Sequence, residues 1–393
     1  MRKTFAACVA AGLLLASGPL LGQRQPLAPL PLDQLQTMAA VFGLINSDSV
    51  TKPDPVALVV AAIRGMVREA DPEAGEFYDA KAFAEFKSGR PGELSNSGLE
   101  IVRRDGRFLL QPIAGGPAIA AGVQGDDVLY AVNGTRIANL GTQQVESLLA
   151  GPLGSNYSVT VFRESSLSVL TLTVERRPPA GGKPRIATVA PGIALLQVPQ
   201  YRDDTLPETA RALRVAWQQD PFRRGLILDL RGSQGGLLTG AVGMASMFLT
   251  ENAAVVSTQG RLPESNFQYK AAPQFYLRTA GPDPLAGLPP ELRSIPLVVL
   301  TDGATAAGAE IVAAALKDNR RATLVGQKTW GRGSIQTVRP LNATEGVKVT
   351  TAFWVSPNGT RIHGQGVTPD VLVAEPNSEF ALQQAIATLA NGR

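Results

Sequence analysis

The residues best placed to do chemistry lie between positions 295 and 340, where an apolar run breaks at a turn. The run from Leu297 to Leu300 stops at Thr301-Asp302-Gly303 and leads into an alanine-rich segment, Ala304 to Leu316, with apolar residues at helical spacing. This order predicts a strand, a tight turn and a helix. The N-terminus of a helix presents backbone N–H groups without partners inside the helix, and enzymes build oxyanion holes from such groups.

Two segments here carry a recognisable pattern. Residues 302–311 read D-G-A-T-A-A-G-A-E-I, and residues 321–336 read R-A-T-L-V-G-Q-K-T-W-G-R-G-S-I-Q. They resemble, without a gap, the patterns N-G-G-S-A-S-A-S-E-I and R-A-T-L-V-G-x-x-T-F-G-K-G-S-V-Q of the C-terminal processing (tail-specific) serine peptidases. In this registration the family's nucleophilic serine falls on Ala307 and its general-base lysine on Arg332. Gln336 matches the third active-site residue, which helps to orient the lysine.

The resemblance therefore implies a peptidase site whose two reactive groups are changed. A Ser-Lys dyad needs a hydroxyl that attacks the peptide carbonyl and an amine that can be neutral near pH 7. Ala307 has no hydroxyl, and the guanidinium of Arg332 stays protonated, so it can hold charge but cannot accept the proton. We expect a non-hydrolytic relative that binds polypeptide C-termini or extended segments as an adaptor, holdase or regulator.

Two glycine-containing turns are expected to supply the oxyanion donors. The resemblance assigns one donor to Gly308, directly after the nucleophile position. Residues 229–237 read D-L-R-G-S-Q-G-G-L and resemble the family's D-L-R-G-N-x-G-G, which places the second donor on Gly235 or Gly236. Glycine allows the backbone to approach a bound carbonyl closely. On local sequence alone, the same residues equally fit a plain turn into a helix from Leu238 to Phe248.

A second function stays open, namely an active serine or threonine peptidase with a rearranged dyad. Thr305 lies two residues before Ala307, Ser334 lies two after Arg332, and Lys328 lies four before it. Two residues along a helix change the side-chain direction by about 200°. A displaced group must also meet the oxyanion donors to within about half an ångström. This alternative is therefore disfavoured.

The elements that would position these groups belong to a mixed α/β chain with several domains. The resemblance to the tail-specific peptidases implies that residues 184–393 form a peptidase core of the ββα type found in crotonases and Clp proteases. Apolar runs and helical periods predict a strand from Ile193 to Val198, a helix from Leu206 to Trp217 and a buried strand from Gly225 to Leu230. The proline-rich stretch 252–295 is assigned to loops.

Residues 94–177 resemble a PDZ domain. The supporting segments, in order, are Gly116-Pro117-Ala118, Ala121-Gly122, Gly125 to Val128 and the hairpin turn Asn133-Gly134. Gly98-Leu99-Glu100-Ile101 stands where such domains bind a peptide carboxylate beside an exposed strand edge. Glu100 occupies a position that usually holds glycine, and its charge would weaken the capture of another carboxylate. A PDZ fold that only packs against the core or gates it is the other interpretation.

The N-terminal region predicts export. Residues 1–22 combine Arg2 and Lys3 with a short apolar run and small residues, as in a cleavable secretory signal peptide, so no membrane anchor is expected after cleavage. Residues 23–93 predict helices that could pack or form a homo-oligomer, with Leu35, Met38 and Ile45 at helical spacing. We expect a periplasmic or secreted protein.

Composition excludes several other classes. The 393 residues carry a net charge of +4 without a long basic block, so no nucleic-acid partner is expected. The only histidine is His363 and the only cysteine is Cys8, within the signal peptide. We therefore expect no transition-metal site, no cofactor and no disulfide.

Overall fold

A computed structural model of the protein describes residues 31–87, 97–113, 116–138, 140–177, 183–278, 281–373 and 378–391. The predicted signal peptide at 1–22 and residues 178–182 of the linker lie outside these ranges. The chain forms two compact units, Met1–Ala62 and Ile63–Arg393. None of the helices in the described ranges combines the length and the apolar content needed to cross a bilayer.

The two N-terminal helices are confirmed. Helix α1 spans Leu32–Asp48 and helix α2 spans Pro55–Ala70. Helix α1 buries none of its residues, and several large apolar side chains on it are exposed. A short strand, β1 (Glu76–Tyr78), and helix α3 (Ala80–Lys87) follow.

The segment from residue 97 to 177, which we call the PDZ segment, contains one antiparallel sheet. Its elements are β2 (Leu99–Arg104), β3 (Arg107–Pro112), α4 (Pro117–Ala120), β4 (Asp127–Val132), β5 (Thr135–Arg136), α5 (Thr142–Leu149), β6 (Asn156–Arg163) and β7 (Ser168–Glu175). The strand order is β2-β3-β4-β6-β7, with β5 paired to β4. The predicted hairpin at Asn133-Gly134 is present, and both residues have positive φ, 49° and 76°. The hydrophobic core of the PDZ segment includes Leu99, Leu110 and Val159.

The rest of the chain is built on a six-stranded sheet. Its strands are β8 (Arg185–Ala190), β9 (Ile193–Gln197), β10 (Gly225–Asp229), β13 (Leu297–Thr301), β14 (Thr323–Gly326) and β17 (Val371–Leu372). The order is β17-β14-β13-β10-β9-β8, and every pair except β8–β9 is parallel. Helices α6 (Thr205–Gln219), α7 (Leu238–Ser246) and α9 (Gly308–Asp318) pack in one hydrophobic cluster, whereas α10 (Ser378–Ala390) packs in another. The sheet therefore lies between two helical layers.

A second, antiparallel sheet completes the core. It contains β1, β11 (Ala254–Gly260), β12 (Phe267–Lys270), β15 (Ser334–Pro340) and β16 (Gly346–Val355), and the short helix α8 (Pro273–Tyr276) follows β12. The assignment of all of 252–295 to loops was wrong. Strands β11 and β12 pair with each other inside that stretch, and its prolines, including Pro263 in the connection between them, lie outside the paired residues, where they interrupt no strand.

The helix predicted from Ala304 was also placed too early. Helix α9 begins at Gly308, and residues 302–306 form turns held by side chains. The hydroxyl of Thr305 accepts a hydrogen bond from the backbone N–H of Asp302, at 3.0 Å, and donates to the carbonyl of Leu230, at 2.9 Å. A threonine that bonds the backbone in this way favours a turn over a helix interior.

Candidate functional site

Ala307 lies between the end of β13 and the first residue of α9. Its backbone has φ 49° and ψ −115°, a conformation that costs an alanine about 1–3 kcal/mol. Two hydrogen bonds hold this conformation. The N–H of Ala306 donates to the carbonyl of Ser233 at 2.9 Å, and the N–H of Ala307 donates to the side-chain atom Glu310 Oε2 at 2.9 Å. A strained turn at the start of a helix exposes the side chain that it carries, which here is a methyl group.

Glu310 joins this turn to the segment that carries Arg332. Its carboxylate is fully buried and accepts hydrogen bonds from the N–H of Ala307, from the N–H of Gly331 at 2.7 Å, from the N–H of Arg332 at 2.8 Å and from the hydroxyl of Thr329. Burial raises the pKa of Glu310, and the four donors oppose that rise. Ala307 and Arg332, the residues that the resemblance places at the nucleophile and base positions, are therefore joined through their backbone N–H groups to one shared carboxylate.

The glycine turn after β10 approaches the start of α9 closely. A methyl group on Gly235, where φ is 75°, would lie 2.3 Å from the backbone nitrogen of Gly308. A methyl group on Gly236, where φ is 135°, would lie 2.2 Å from the carbonyl oxygen of Tyr201. Only glycine fits these positions. Within the described residues, the N–H groups of Gly235, Gly236 and Gly308 donate to no acceptor.

A cavity of about 620 Å³ brings most of the predicted site residues together. Those that line it are Glu100, Ile101, Gly236, Ala307, Gly308, Arg332, Ser334 and Gln336. Gly235 contacts Gly308 but is not among the lining residues, so Gly236 is the glycine of the D-L-R-G turn that faces the cavity. Gln336 is exposed, and its amide donates to the hydroxyl of Ser334 at 2.9 Å.

The guanidinium of Arg332 forms an ion pair with the carboxylate of Glu100. The two residues are 232 positions apart, and their side chains are 23% and 28% exposed. The sequence singled out both residues, one in each domain, but no local signal could have paired them. Glu310 accepts a hydrogen bond from the backbone N–H of Arg332 and not from its guanidinium.

Two of the groups proposed for a rearranged dyad lie elsewhere. Thr305 is fully buried, and its hydroxyl is engaged by Leu230 and Asp302. Lys328 is exposed. Neither lines the cavity, whereas Ser334 does.

The PDZ segment contributes one wall of the same cavity. Among the described residues, strand β2 pairs only with β3, so its other edge is free of strand partners there. Residues 100–104 of β2 line the cavity with Thr142 and Glu146 of α5. Leu99 instead points into the PDZ core, where it is 1% exposed. Burial raises the pKa of Glu146 to about 7, and the charges of Glu76 and Glu100 add to the rise while that of Lys348 opposes it.

The residues of the site that the sequence did not reveal are of two kinds. Glu310 stands inside the D-G-A-T-A-A-G-A-E-I segment, so its role could have been suspected from that pattern. Glu146 and Lys348 carry no motif, and only the tertiary fold places them in the wall of the cavity.

Comparison with known proteins gives two family matches. Residues 192–373 match the family described as peptidase family S41, and residues 109–163 match the PDZ domain. The second match lies inside the range 94–177 proposed for that domain, whose exact limits stay a prediction.

Individual relatives agree with these matches. A carboxy-terminal-processing protease of Bartonella bacilliformis is 30% identical over 349 residues, which cover 88% of this chain and 76% of that protein. A protein named "Probable CtpA-like serine protease" of Staphylococcus aureus is 28% identical over 348 residues, covering 87% of this chain and 65% of that protein. Among solved structures, the photosystem II D1 C-terminal processing protease aligns with a TM-score of 0.68 and 26% identity, covering 90% of this chain and 96% of that one.

Proposed function

The chain belongs to peptidase family S41, and from this premise we propose that it is an exported homologue of the C-terminal processing peptidases that binds polypeptide C-termini or extended segments without hydrolysing them. The observation that carries the proposal is Ala307. It occupies the strained turn before α9 where the family's patterns place the nucleophile, and it offers only a methyl group. Covalent catalysis needs an atom that can attack the carbonyl.

Arg332, at the position predicted for the general base, supports the same conclusion. Its guanidinium keeps its proton, so it could not activate a hydroxyl or a water molecule near neutral pH. When both members of a catalytic pair are changed, nearly the whole covalent contribution to the rate is removed. The arrangement around them nevertheless remains suited to binding a peptide.

Three features support peptide binding. The free edge of β2 can add one extended strand through backbone hydrogen bonds. Gly236 and Gly308 line the cavity, and their N–H groups, which donate to no acceptor among the described residues, can hold a peptide carbonyl. The cavity also has apolar lining residues, including Leu238, Ile311 and Trp354. A peptide with an apolar C-terminal segment fits this lining.

Export and self-association are parts of the proposal that rest on other residues. Export to the periplasm or the outside rests on the signal-like residues 1–22. Self-association rests on the exposed apolar side chains of α1, which include Leu32, Met38 and Leu44. Analytical ultracentrifugation of the chain with and without residues 23–48 tests self-association, and a mass equal to that of one copy for each of the two chains would contradict it.

The central experiment measures binding and turnover together. The chain without residues 1–22 is mixed with labelled peptides that end in apolar residues, and we expect binding while the peptides stay intact during prolonged incubation. A serine-directed covalent probe should not label the protein. Cleavage that scales with protein concentration and is lost in Thr305→Ala, Lys328→Ala or Ser334→Ala would favour a rearranged dyad instead.

A further inference from the structure

We propose that the guanidinium of Arg332 is the receptor for the free α-carboxylate of the bound polypeptide. The carboxylate would then be held by a side chain of the peptidase-like core and not by the backbone N–H groups of the Gly98 to Ile101 turn of the PDZ domain. This inference rests on the proposed function and narrows its ligand class to polypeptides with a free carboxyl terminus, bound in the position of a cleaved product.

Arg332 already binds a carboxylate in this structure, that of Glu100. A peptide C-terminus presents the same chemical group, and a planar guanidinium binds carboxylates through charge-assisted hydrogen bonds. The two side chains line the cavity and are 23% and 28% exposed, so a ligand can reach the pair and compete with Glu100. Glu100 thus occupies the place that we assign to the ligand's carboxylate.

The PDZ turn is poorly suited to the same task. Glu100 lies on β2 directly beyond Gly98 and Leu99, and a carboxylate there repels another carboxylate. At Arg332 the guanidinium offsets the same repulsion, because it attracts the ligand's carboxylate as well as that of Glu100. The backbone edge of β2 stays available for pairing in either case.

The wall of the cavity that β2 forms indicates the path that the ligand would take. Residues 100–104 of β2 line the cavity that also contains Arg332 and Ala307. A six-residue strand is about 20 Å long. An extended chain that pairs with this edge can therefore place its last residue beside Arg332 without leaving the cavity.

The other cations that line the cavity make different contacts. Lys348 Nζ is 3.1 Å from Glu76 Oε2. The guanidinium of Arg104 lies 4.4 Å from the centre of the Trp330 ring, and that of Arg103 lies 5.3 Å from the centre of the Phe108 ring. Of the cations that line the cavity, Arg332 is the one paired with a carboxylate beside the nucleophile position.

The test compares two peptides of one sequence, with an apolar C-terminal segment, that differ only in ending as a free acid or as an amide. Binding to the chain without residues 1–22 is followed by fluorescence anisotropy. We expect the acid to bind at least about tenfold more tightly than the amide, as a charge-assisted contact implies. Arg332→Gln should reduce this ratio to about one, and Arg332→Lys should keep part of it. Glu100→Gln should strengthen binding of the acid, because the internal competitor is gone.

Arg261→Gln is the control, since it removes one positive charge from an exposed position outside the cavity lining and should leave the ratio unchanged. Thermal melts confirm that each variant is folded. Equal affinity for acid and amide in the wild-type chain would overturn the role of Arg332 and leave peptide binding standing. A ratio that persists in folded Arg332→Gln would place the carboxylate elsewhere and also overturn it. Failure of both peptides to bind would overturn the proposed function itself.

Discussion

Arg332, which the resemblance places at the base position, forms an ion pair with Glu100 on the edge strand of the PDZ domain. Both side chains are less than one-third exposed, so the interaction is screened less than a surface pair would be. Any side chain placed at position 332 would therefore be influenced by the charge of Glu100.

This relationship bears on any attempt to restore hydrolysis. The double variant Ala307→Ser with Arg332→Lys supplies both reactive groups, but a lysine beside Glu100 would have its pKa raised and would stay protonated. We expect the double variant to gain weak peptidase activity and the triple variant with Glu100→Gln to be more active. The rate of each should rise with pH as the lysine loses its proton, and the rise should come at lower pH in the triple variant.

The measurement is the pH profile of peptide cleavage, with each single variant as a control. Ala307→Ser alone lacks a base and Arg332→Lys alone lacks a nucleophile, so neither should cleave. Identical profiles for the double and triple variants would show that Glu100 does not act on position 332. No cleavage by either folded variant would show that the oxyanion donors or Gln336 have moved, since a displacement of 1 Å can cost about a hundredfold in rate.

Glu310→Gln should destabilise the protein and weaken the hydrogen bonds that join the two segments of the site. The four groups that donate to Glu310 would face an amide that can accept at one end only, so buried donors would lose their partner at a cost of about 3 kcal/mol. We expect a lower melting temperature together with weaker peptide binding. The exposed Glu264→Gln serves as the control and should change neither quantity. A Glu310→Gln protein with unchanged stability would show that this carboxylate does not stabilise the contact between the Ala307 turn and the segment that carries Arg332.

Much of this organisation could be predicted from the sequence, because the glycine turns and apolar runs are local signals. The strands at Leu297–Thr301 and Gly225–Asp229 and the hairpin at Asn133-Gly134 are all present. The start of α9 was missed because the backbone bonds of Thr305 outweigh the helical propensity of its alanine neighbours. The ion pair of Arg332 depends on how two domains pack, which the sequence does not encode locally.

Gly235→Ala should be far more harmful than the same change at an open glycine. Gly235 and Gly359 both have positive φ, 75° and 85°, so an alanine is strained at either position. At Gly235 the new methyl would also meet the nitrogen of Gly308 at 2.3 Å, whereas no atom lies within 4 Å at Gly359. We expect Gly235→Ala to lose roughly 2 kcal/mol more unfolding free energy than Gly359→Ala. Denaturant titrations measure both, and equal losses would contradict the close approach of the two turns.

Glu146 should make stability depend on pH. Its pKa is raised in the folded state from 4.5 to about 7, so between these values the folded protein binds more protons than the unfolded chain. The free energy of unfolding should therefore decrease as pH rises through this window, by on the order of 2 kcal/mol, with the stabilisation fully present below pH 4.5. Glu146→Gln should flatten this part of the profile. A wild-type profile that does not fall between pH 4.5 and 7 would contradict the burial of this carboxyl group.

The free edge of β2 has a consequence for which partners can enter. An unpaired strand edge on an open surface invites other sheets to join it and so promotes aggregation. Here residues 100–104 of that edge form the wall of a cavity of about 620 Å³, together with groups of the peptidase core. A folded sheet is too bulky for such a space, whereas one extended chain can enter. The enclosure would thus protect the protein from edge-to-edge association, and the peptide partners that we propose would have to enter as unfolded tails.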